Sequence, residues 1–452
     1  MELKVVIIGN NVSGTFTAQN IRSLNEEAEI EVCTQEKYPY YTRVKLPELI
    51  SEKVTKEDLI VFKENWYKTK RINLNLNTRV KKIIPQTKTI EIEDNDQIIS
   101  YDKLVLALGS TPSIPPIKNA VKFKDEKKGL FTLRSIDDCI DIKDFIKKQN
   151  AKKAIIIGGG LLGLELANQI NNSNLDTTVV EFFPRLLPKQ LDMECGAMLK
   201  EEIENKGIRV VLDATTEEIL GNGTVTGIKL KSGEELNADI ILIQAGIRPT
   251  IDLAKDANIE TNKGIIVNEY LETSEKDVFA VGDCIEYKDQ IWGIIPACME
   301  QSKIVAASVL GLKKVAYHGT TPKNTLKIVG LDLTSIGIID PSNPKQPGGG
   351  WEILRKADKK DCCYKKIVLK DNKLKGAILF GDSDELSYVN SKMEQDVDKN
   401  ELRKLLELYI YICSNCGYEY DEASMDALFE DLPENYKCPN CNGPKEGFTK
   451  KV

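Results

Sequence analysis

Residues 154–181 read AIIIGGGLLGLELANQINNSNLDTTVVE. Four apolar residues run into a glycine turn, an amphipathic segment follows, and a second apolar run ends in an acid. This order is the strand, turn, helix and strand of a dinucleotide-binding unit. Gly158 permits the tight turn, Gly160 lets a pyrophosphate approach the backbone, and Gly163 allows the helix to pack closely on the strand. Phosphate charge is then met by free amides at the helix N-terminus. Glu181 is placed to accept hydrogen bonds from both hydroxyls of an adenosine ribose and to repel a 2′-phosphate, which favours NADH over NADPH. Arg185, four residues on, is of the type that tolerates a phosphate.

Working outward, the same grammar opens the chain. A strand over 4–8, a turn GNNVSG over 9–14, a helix to about 23 and a strand over 29–33 form a second βαβ unit. Gly9 and Gly14 hold the turn positions, Asn11 stands where the second glycine is expected, and Glu36 follows the second strand as its ribose-binding acid. Far downstream, TSEKDVFAVGDC (273–284) puts Gly282 and Asp283 at a strand end, where a carboxylate can accept from the ribityl chain of a flavin.

With 452 residues the chain has room for about three domains. Its 41% hydrophobic and 29% charged composition is that of a folded globular protein. A net charge of -7 argues against nucleic acid or an anionic membrane surface as partner. No apolar stretch reaches membrane-spanning length and no leader-like start precedes the first strand, so a cytoplasmic location is expected. A single histidine, His318, excludes histidine triads and leaves the difficult chemistry to cofactors. Of eleven cysteines, Cys413, Cys416, Cys438 and Cys441 form two C-x-x-C pairs, the spacing of a tetrahedral thiolate site that suits zinc or iron. Their segment of about 40 residues needs such a staple to fold. Leu402, Leu405, Leu406 and Tyr409 have helical spacing just before it.

The two glycine turns occur with LVLALGSTP (104–112), ILIQAGIRP (241–249), FAVGDC (279–284) and IIPACMEQ (294–301). In that order the motifs resemble the two-dinucleotide flavoprotein reductases of the pyridine nucleotide-disulfide oxidoreductase superfamily, over about residues 1–385. The resemblance implies FAD in a discontinuous first unit and NADH in an inserted second one. It adds Arg43, Lys45, Gly109, Gly246 and Pro296 to the cofactor-binding residues named above. Glu165 is the catalytic candidate beside the nicotinamide, with an ordinary early-helix acid as the equal alternative. Where the disulfide reductases carry a redox cysteine, YPYYTRVKLPELI (38–50) has no thiol, so disulfide and thiol-based peroxide reduction lose support. Its Tyr41, Arg43 and Leu46 instead resemble reductases that serve small iron-sulfur or iron-thiolate proteins, and Glu48 replaces a lysine that some relatives place by the flavin.

In the tail, CGYEYD, LPENYKCPNC and Phe448 resemble rubredoxin, which implies one iron on the four cysteines and an aromatic core. The implied activity is NADH:rubredoxin reduction within one chain, feeding rubredoxin-dependent oxygen, peroxide, superoxide or nitric oxide reductases. Alternatives are an NADH oxidase, a nitrite reductase-type flavoprotein, or a flavoprotein with a zinc-ribbon interaction module. From 409 to 448 eight acids face two lysines, which suits a mobile, electrostatically steered module.

The expected fold is α/β, with two Rossmann-like units, a small α+β domain and a small metal-stapled domain. The FAD unit is placed at 1–112 and 236–315, the NAD unit at 113–235, the α+β domain at 316–390, a linker helix at 391–408 and the iron module at 409–450. Residues 342–350 are expected to be a loop, and Cys362 and Cys363 to be thiols without a redox role.

Overall fold

Apolar runs become strands where alternation and glycine turns demand it: Lys4–Ile8, Glu29–Cys33 and Lys153–Ile157. The structure, a computed structural model, describes residues 2–451 except 95, 313–314, 329, 342–348, 359–360 and 426. Most of the loop expected at 342–350 therefore lies outside the described residues. The chain divides into two units, residues 1–158, 169–177 and 216–320, and residues 159–168, 178–215 and 321–452.

In the first unit a parallel sheet has the order Val278–Ala280, Lys103–Leu106, Lys4–Ile8, Glu29–Cys33, Ile72–Asn75. Val5, Val6 and Ile7 are fully buried at its centre, as continuous apolar runs in a doubly covered sheet should be. Asn11 caps the helix Val12–Leu24, its side chain accepting from the Val12 amide at 2.9 Å. Its φ of -99° is extended, so the missing second glycine is replaced by a cap and no left-handed backbone is needed.

The same unit corrects a boundary. Ile240–Ile243 pairs in parallel with Lys153–Ile157 and with Leu130–Phe131, so residues 240–243 belong to the nucleotide sheet and not to the flavin unit. The chain crosses back at Ile247–Pro249, which pairs antiparallel with Ser110–Pro112. The two resembling segments, 104–112 and 241–249, are thus both strand, glycine and crossing strand.

In the second unit the end of Asp176–Val180 pairs in parallel with Arg209–Val211. An antiparallel sheet has the order Lys323–Ile328, Leu331–Gly337, Lys373–Gly381, Cys363–Lys370, Trp351–Asp358. Its expected hairpin turns at Asp371 and Asn372, both with positive φ, the conformation that matches strand twist. The single linker helix expected at 391–408 is instead two short helices, Leu386–Lys392 and Lys399–Leu405. Tyr409 falls outside the second helix and joins the aromatic cluster of the tail. Leu402, Leu406 and Leu408 are at most 4% exposed and share a cluster with Ile336, Leu354, Ile367, Leu369 and Leu374 of the sheet and Ala423 of the tail. The linker is core and no loose tether. The tail itself is a three-stranded sheet, Glu419–Asp421, Ile410–Cys413, Phe448–Lys451. Among the described residues no helix is long and apolar enough to cross a membrane.

Candidate functional site

Gly9 and Gly158 occupy equivalent corners of the two dinucleotide turns. Their φ values are 111° and 117°, and a Cβ would lie 2.1 Å from the Ala107 carbonyl oxygen and 2.4 Å from that of Gln244. No side chain fits there. A Cβ on Gly14 would meet the Gly9 carbonyl oxygen at 1.9 Å, and one on Gly282 would meet Ser13 Oγ at 2.2 Å, so residues 9–14 and 282–283 are one assembly.

Around it the first unit gathers charged groups. Glu36 pairs with Arg43, whose Nη1 donates to the Arg134 carbonyl at 2.8 Å. Arg134 Nη2 reaches Asp283 Oδ2 at 3.0 Å and Ser110 Oγ at 2.6 Å, while Ser110 Oγ donates to Asp283 at 2.7 Å. Cys298 Sγ lies 3.7 Å from Asp283 Oδ1, and burial pushes this thiol up to about 12, so it stays protonated. Burial lowers Arg134, and Asp283 offsets part of that shift. Lys45 and Pro296 are exposed, each at the start of a helix, Leu46–Ile50 and Ile295–Val309.

These residues fit an anionic group. Asn10 Nδ2, Arg43 Nε and Arg134 Nε are buried donors without a hydrogen-bond partner among the described residues. Gly109 and Gly246 have open space where a Cβ would sit, and in the second unit so does Gly160. Buried donors of this kind are costly unless a ligand meets them.

In the second unit Glu181 is 6% exposed. Its carboxylate accepts from the amides of Gly159 at 2.5 Å and Phe183 at 2.9 Å. A carboxylate has about four lone-pair sites, so two amides leave room for ribose hydroxyls. The expectation for Arg185 is corrected: its guanidinium donates to the carbonyls of Leu191 at 2.9 Å and Pro188 at 3.0 Å. It braces the loop and is not turned toward a phosphate. Gly163 is buried and Glu165 half-buried in the helix Leu161–Asn172.

The four tail cysteines converge, with Sγ atoms all within 4.8 Å of one another and edges of 3.6 Å for Cys413–Cys441 and Cys416–Cys438. A tetrahedron with metal–sulfur bonds of about 2.3 Å has edges of about 3.8 Å, so the thiols fit one such ion. The two knuckles repeat each other. Gly417 and Asn442 amides donate to the Cys413 and Cys438 carbonyls at 2.8 Å, and the Cys413 and Cys438 amides donate to Tyr418 and Gly443 carbonyls. Asn442 takes the left-handed φ of 62° expected of it, matching Gly417 at 76°. The Asn415 side chain and the Gly443 amide hold Cys441 down to about 6, while burial pushes Cys438 up to about 11. A bound cation turns both into thiolates. Tyr411, Tyr420, Phe429 and Phe448 form the core beneath, with Tyr418 and Tyr436 against it.

Sequence reasoning missed Arg134 and Ser110. Ser110 stands inside the segment 104–112 and Arg134 follows the strand Leu130–Phe131, and neither a serine nor a half-buried arginine leaves a local signal.

The family described as pyridine nucleotide-disulphide oxidoreductase matches residues 3–302. The chain belongs to this family. The C-terminal domain of rubredoxin NAD+ reductase matches residues 322–397 and rubredoxin residues 410–448. FAD and NADH fit the family, and the rubredoxin match fits iron at the four thiols. A nitrite reductase [NAD(P)H] of Bacillus subtilis is 35% identical over 403 residues, 89% of this chain and 48% of its own length. The assimilatory nitrate reductase electron transfer subunit of the same organism is 31% identical over 446 residues, 98% of this chain and 54% of its own. The chain thus spans about half the length of these two relatives. The NADH-rubredoxin oxidoreductase of Clostridium acetobutylicum is 28% identical over 398 residues, 88% of this chain and 95% of its own. The crystal structure of NADH:rubredoxin oxidoreductase from that organism has a TM-score of 0.69 at 25% identity, covering 90% of this chain and all of that one.

Proposed function

We propose that the chain is an NADH:rubredoxin oxidoreductase with its acceptor fused to it. The observation that carries this reading is the tetrahedron of Cys413, Cys416, Cys438 and Cys441 in a rubredoxin module on the same chain as a family reductase whose 38–50 segment holds no thiol.

Bound FAD supplies the exchange between a two-electron donor and a one-electron acceptor. The balance is NADH and two ferric equivalents giving NAD+, one proton and two ferrous equivalents. The chain's residues bind and orient. The turn at 158–160 and the following helix take the pyrophosphate, and Glu181 reads the adenosine ribose. Glu165 is the side chain offered beside the nicotinamide. Asp283, set by Ser110 and Arg134, is oriented to accept from a ribityl hydroxyl, and Glu36 from a ribose hydroxyl. Arg43 and Arg134 offer buried charge to a pyrophosphate. Gly9, Asn11, Gly14, Gly109, Gly246, Gly282, Lys45 and Pro296 border the same two nucleotides. The four thiolates hold the iron.

Electrons then leave for rubredoxin-dependent oxygen, peroxide, superoxide or nitric oxide reductases in the cytoplasm. A second reading is favoured by the nitrate reductase electron transfer subunit, whose likeness runs through the tail to 98% of this chain. In it the iron serves a nitrate-reducing enzyme. Protein purified with iron available is expected to show flavin and ferric tetrathiolate bands, both bleaching on stopped-flow mixing with NADH. Iron that stays oxidised beside fully reduced flavin, or a site holding only zinc, overturns the reading.

A further inference from the structure

The module at 409–451 is held by two arginines from outside it. Arg403, on the helix Lys399–Leu405, takes both oxygens of Asp421 at 2.6 and 2.7 Å, in the bidentate geometry that fixes orientation as well as distance. Arg355, on the strand Trp351–Asp358, donates from Nη1 to the Met425 carbonyl at 2.9 Å and grips Glu194 with Nε and Nη2. Glu194 lies in the first turn of the helix Met193–Asn205, just beyond the loop that follows Glu181. One guanidinium therefore joins the nucleotide-binding part of the unit to the iron module.

The same helix is pinned to the α+β sheet beside Arg355. Asp192, its cap, accepts from Tyr364 at 2.6 Å and Lys366 at 2.7 Å. Ala423 and Leu428 of the module also pack into the cluster that holds Leu402, Leu406 and Leu408. A module swinging on a tether would have to break two directional arginine contacts and expose this shared core together.

We propose that Arg355 and Arg403 are positioning residues that clasp the iron module onto its own unit, so that it takes part in the reaction docked rather than as a swinging acceptor. This rests on the reductase reading above.

The test uses the full-length protein carrying flavin and iron. Three variants are compared with the original: Arg355→Ala with Arg403→Ala, Arg403→Asp alone, and Arg403→Asp with Asp421→Arg. The first readout is limited proteolysis at the 406–409 junction, followed by mass. Cleavage should speed by about tenfold in the first two variants, since it tracks the population of the open form, and return toward the original in the exchanged pair. The second readout is stopped-flow bleaching with NADH. Flavin bleaching should be unchanged, and iron bleaching should slow by about tenfold in the first two variants as docked geometry gives way to a tethered search, with recovery in the exchanged pair. Unchanged cleavage overturns the clasp. Faster cleavage with unchanged or faster iron bleaching overturns docking as the working state. If iron in the original protein never bleaches, the reductase reading fails, while cleavage still decides the clasp.

Discussion

Replacing Glu181 by alanine separates the bracing of the glycine turn, which its carboxylate performs, from the ribose recognition proposed for it. In the structure both oxygens accept backbone amides, from Gly159 at 2.5 Å and Phe183 at 2.9 Å, at a residue 6% exposed. Hydrogen bonds to a charged acceptor contribute about 1.5–3 kcal/mol each, and water entering the vacated space recovers part of that. Glu181→Ala is therefore expected to cost about 2–4 kcal/mol of stability, read as a fall in the denaturant midpoint at constant slope. The proposed second role is recognition. Loss of the ribose hydrogen bonds should lower kcat/KM for NADH by about 100-fold, while NADPH, which gained nothing from the carboxylate, should lose less. The selectivity ratio is the decisive quantity, because damage to the glycine turn weakens both nucleotides alike and cancels. Since Arg185 is committed to the Leu191 and Pro188 carbonyls, the ratio should narrow through loss of NADH activity rather than gain of NADPH activity. An unchanged ratio beside a lowered midpoint would refute the ribose assignment and leave Glu181 as a brace for the turn.

Cys438→Ser is expected to abolish the ferric band while NADH still reduces the flavin at nearly its original rate, which an anaerobic stopped-flow trace checks. Asn442→Val, forced to a φ of 62°, should cost about 1–2 kcal/mol and release iron to a chelator faster, whereas Asn442→Gly should not. Replacing Cys362 and Cys363 with serine should leave NADH-driven iron reduction intact; both are free thiols, and burial raises Cys363 and pushes Cys362 up to about 12. Arg403 holds Asp421 below the ordinary carboxylate range, so its contribution to docking is fully present above about pH 4 and is lost as pH falls through the lowered folded value. Proteolysis at the 406–409 junction should quicken in acid for the original protein and change less for Asp421→Asn.

Much of the fold was readable because its signals are local. Lys4–Ile8 and Glu29–Cys33 fall where the apolar runs place them, and the Asp371-Asn372 hairpin follows from two residues that tolerate positive φ. The return of the chain at 240–243 was not readable. Its run of four apolar residues suits either parallel sheet equally, and only pairing with Lys153–Ile157 decides between them. The linker failed for a related reason: helical spacing of leucines announces a buried face, but the length of a helix in a protein is set by what packs on that face. Here Glu407, with a φ of 54°, follows the helix Lys399–Leu405, and Leu408 turns into the same core.

The candidate site divides in the same way. The four thiols, the glycine corners and Glu181 were readable because each must stand at a fixed spacing from its neighbours, while Arg134 and Ser110 meet Asp283 across 149 and 173 residues. Charge was less legible: eight acids against two lysines in the tail suit a mobile, electrostatically steered module. In place, Asp421 is paired with Arg403, and Glu422 is buried, accepting from the amides of Tyr409 and Phe429 at 2.8 Å. Glu419, Glu430, Asp431, Glu434 and Glu446 remain exposed, with Glu419 ion-paired to Lys451 at 3.7 Å and Lys437 exposed, while the half-buried Lys445 donates its ammonium to two backbone carbonyls. Part of the acidity thus builds the module and complements its own chain. What is left for an outside partner is a smaller field, and with about a 10 Å screening length at 0.1 M salt it acts only near contact. Encounter with a downstream acceptor should accordingly depend on ionic strength much less than a net charge of that size would suggest.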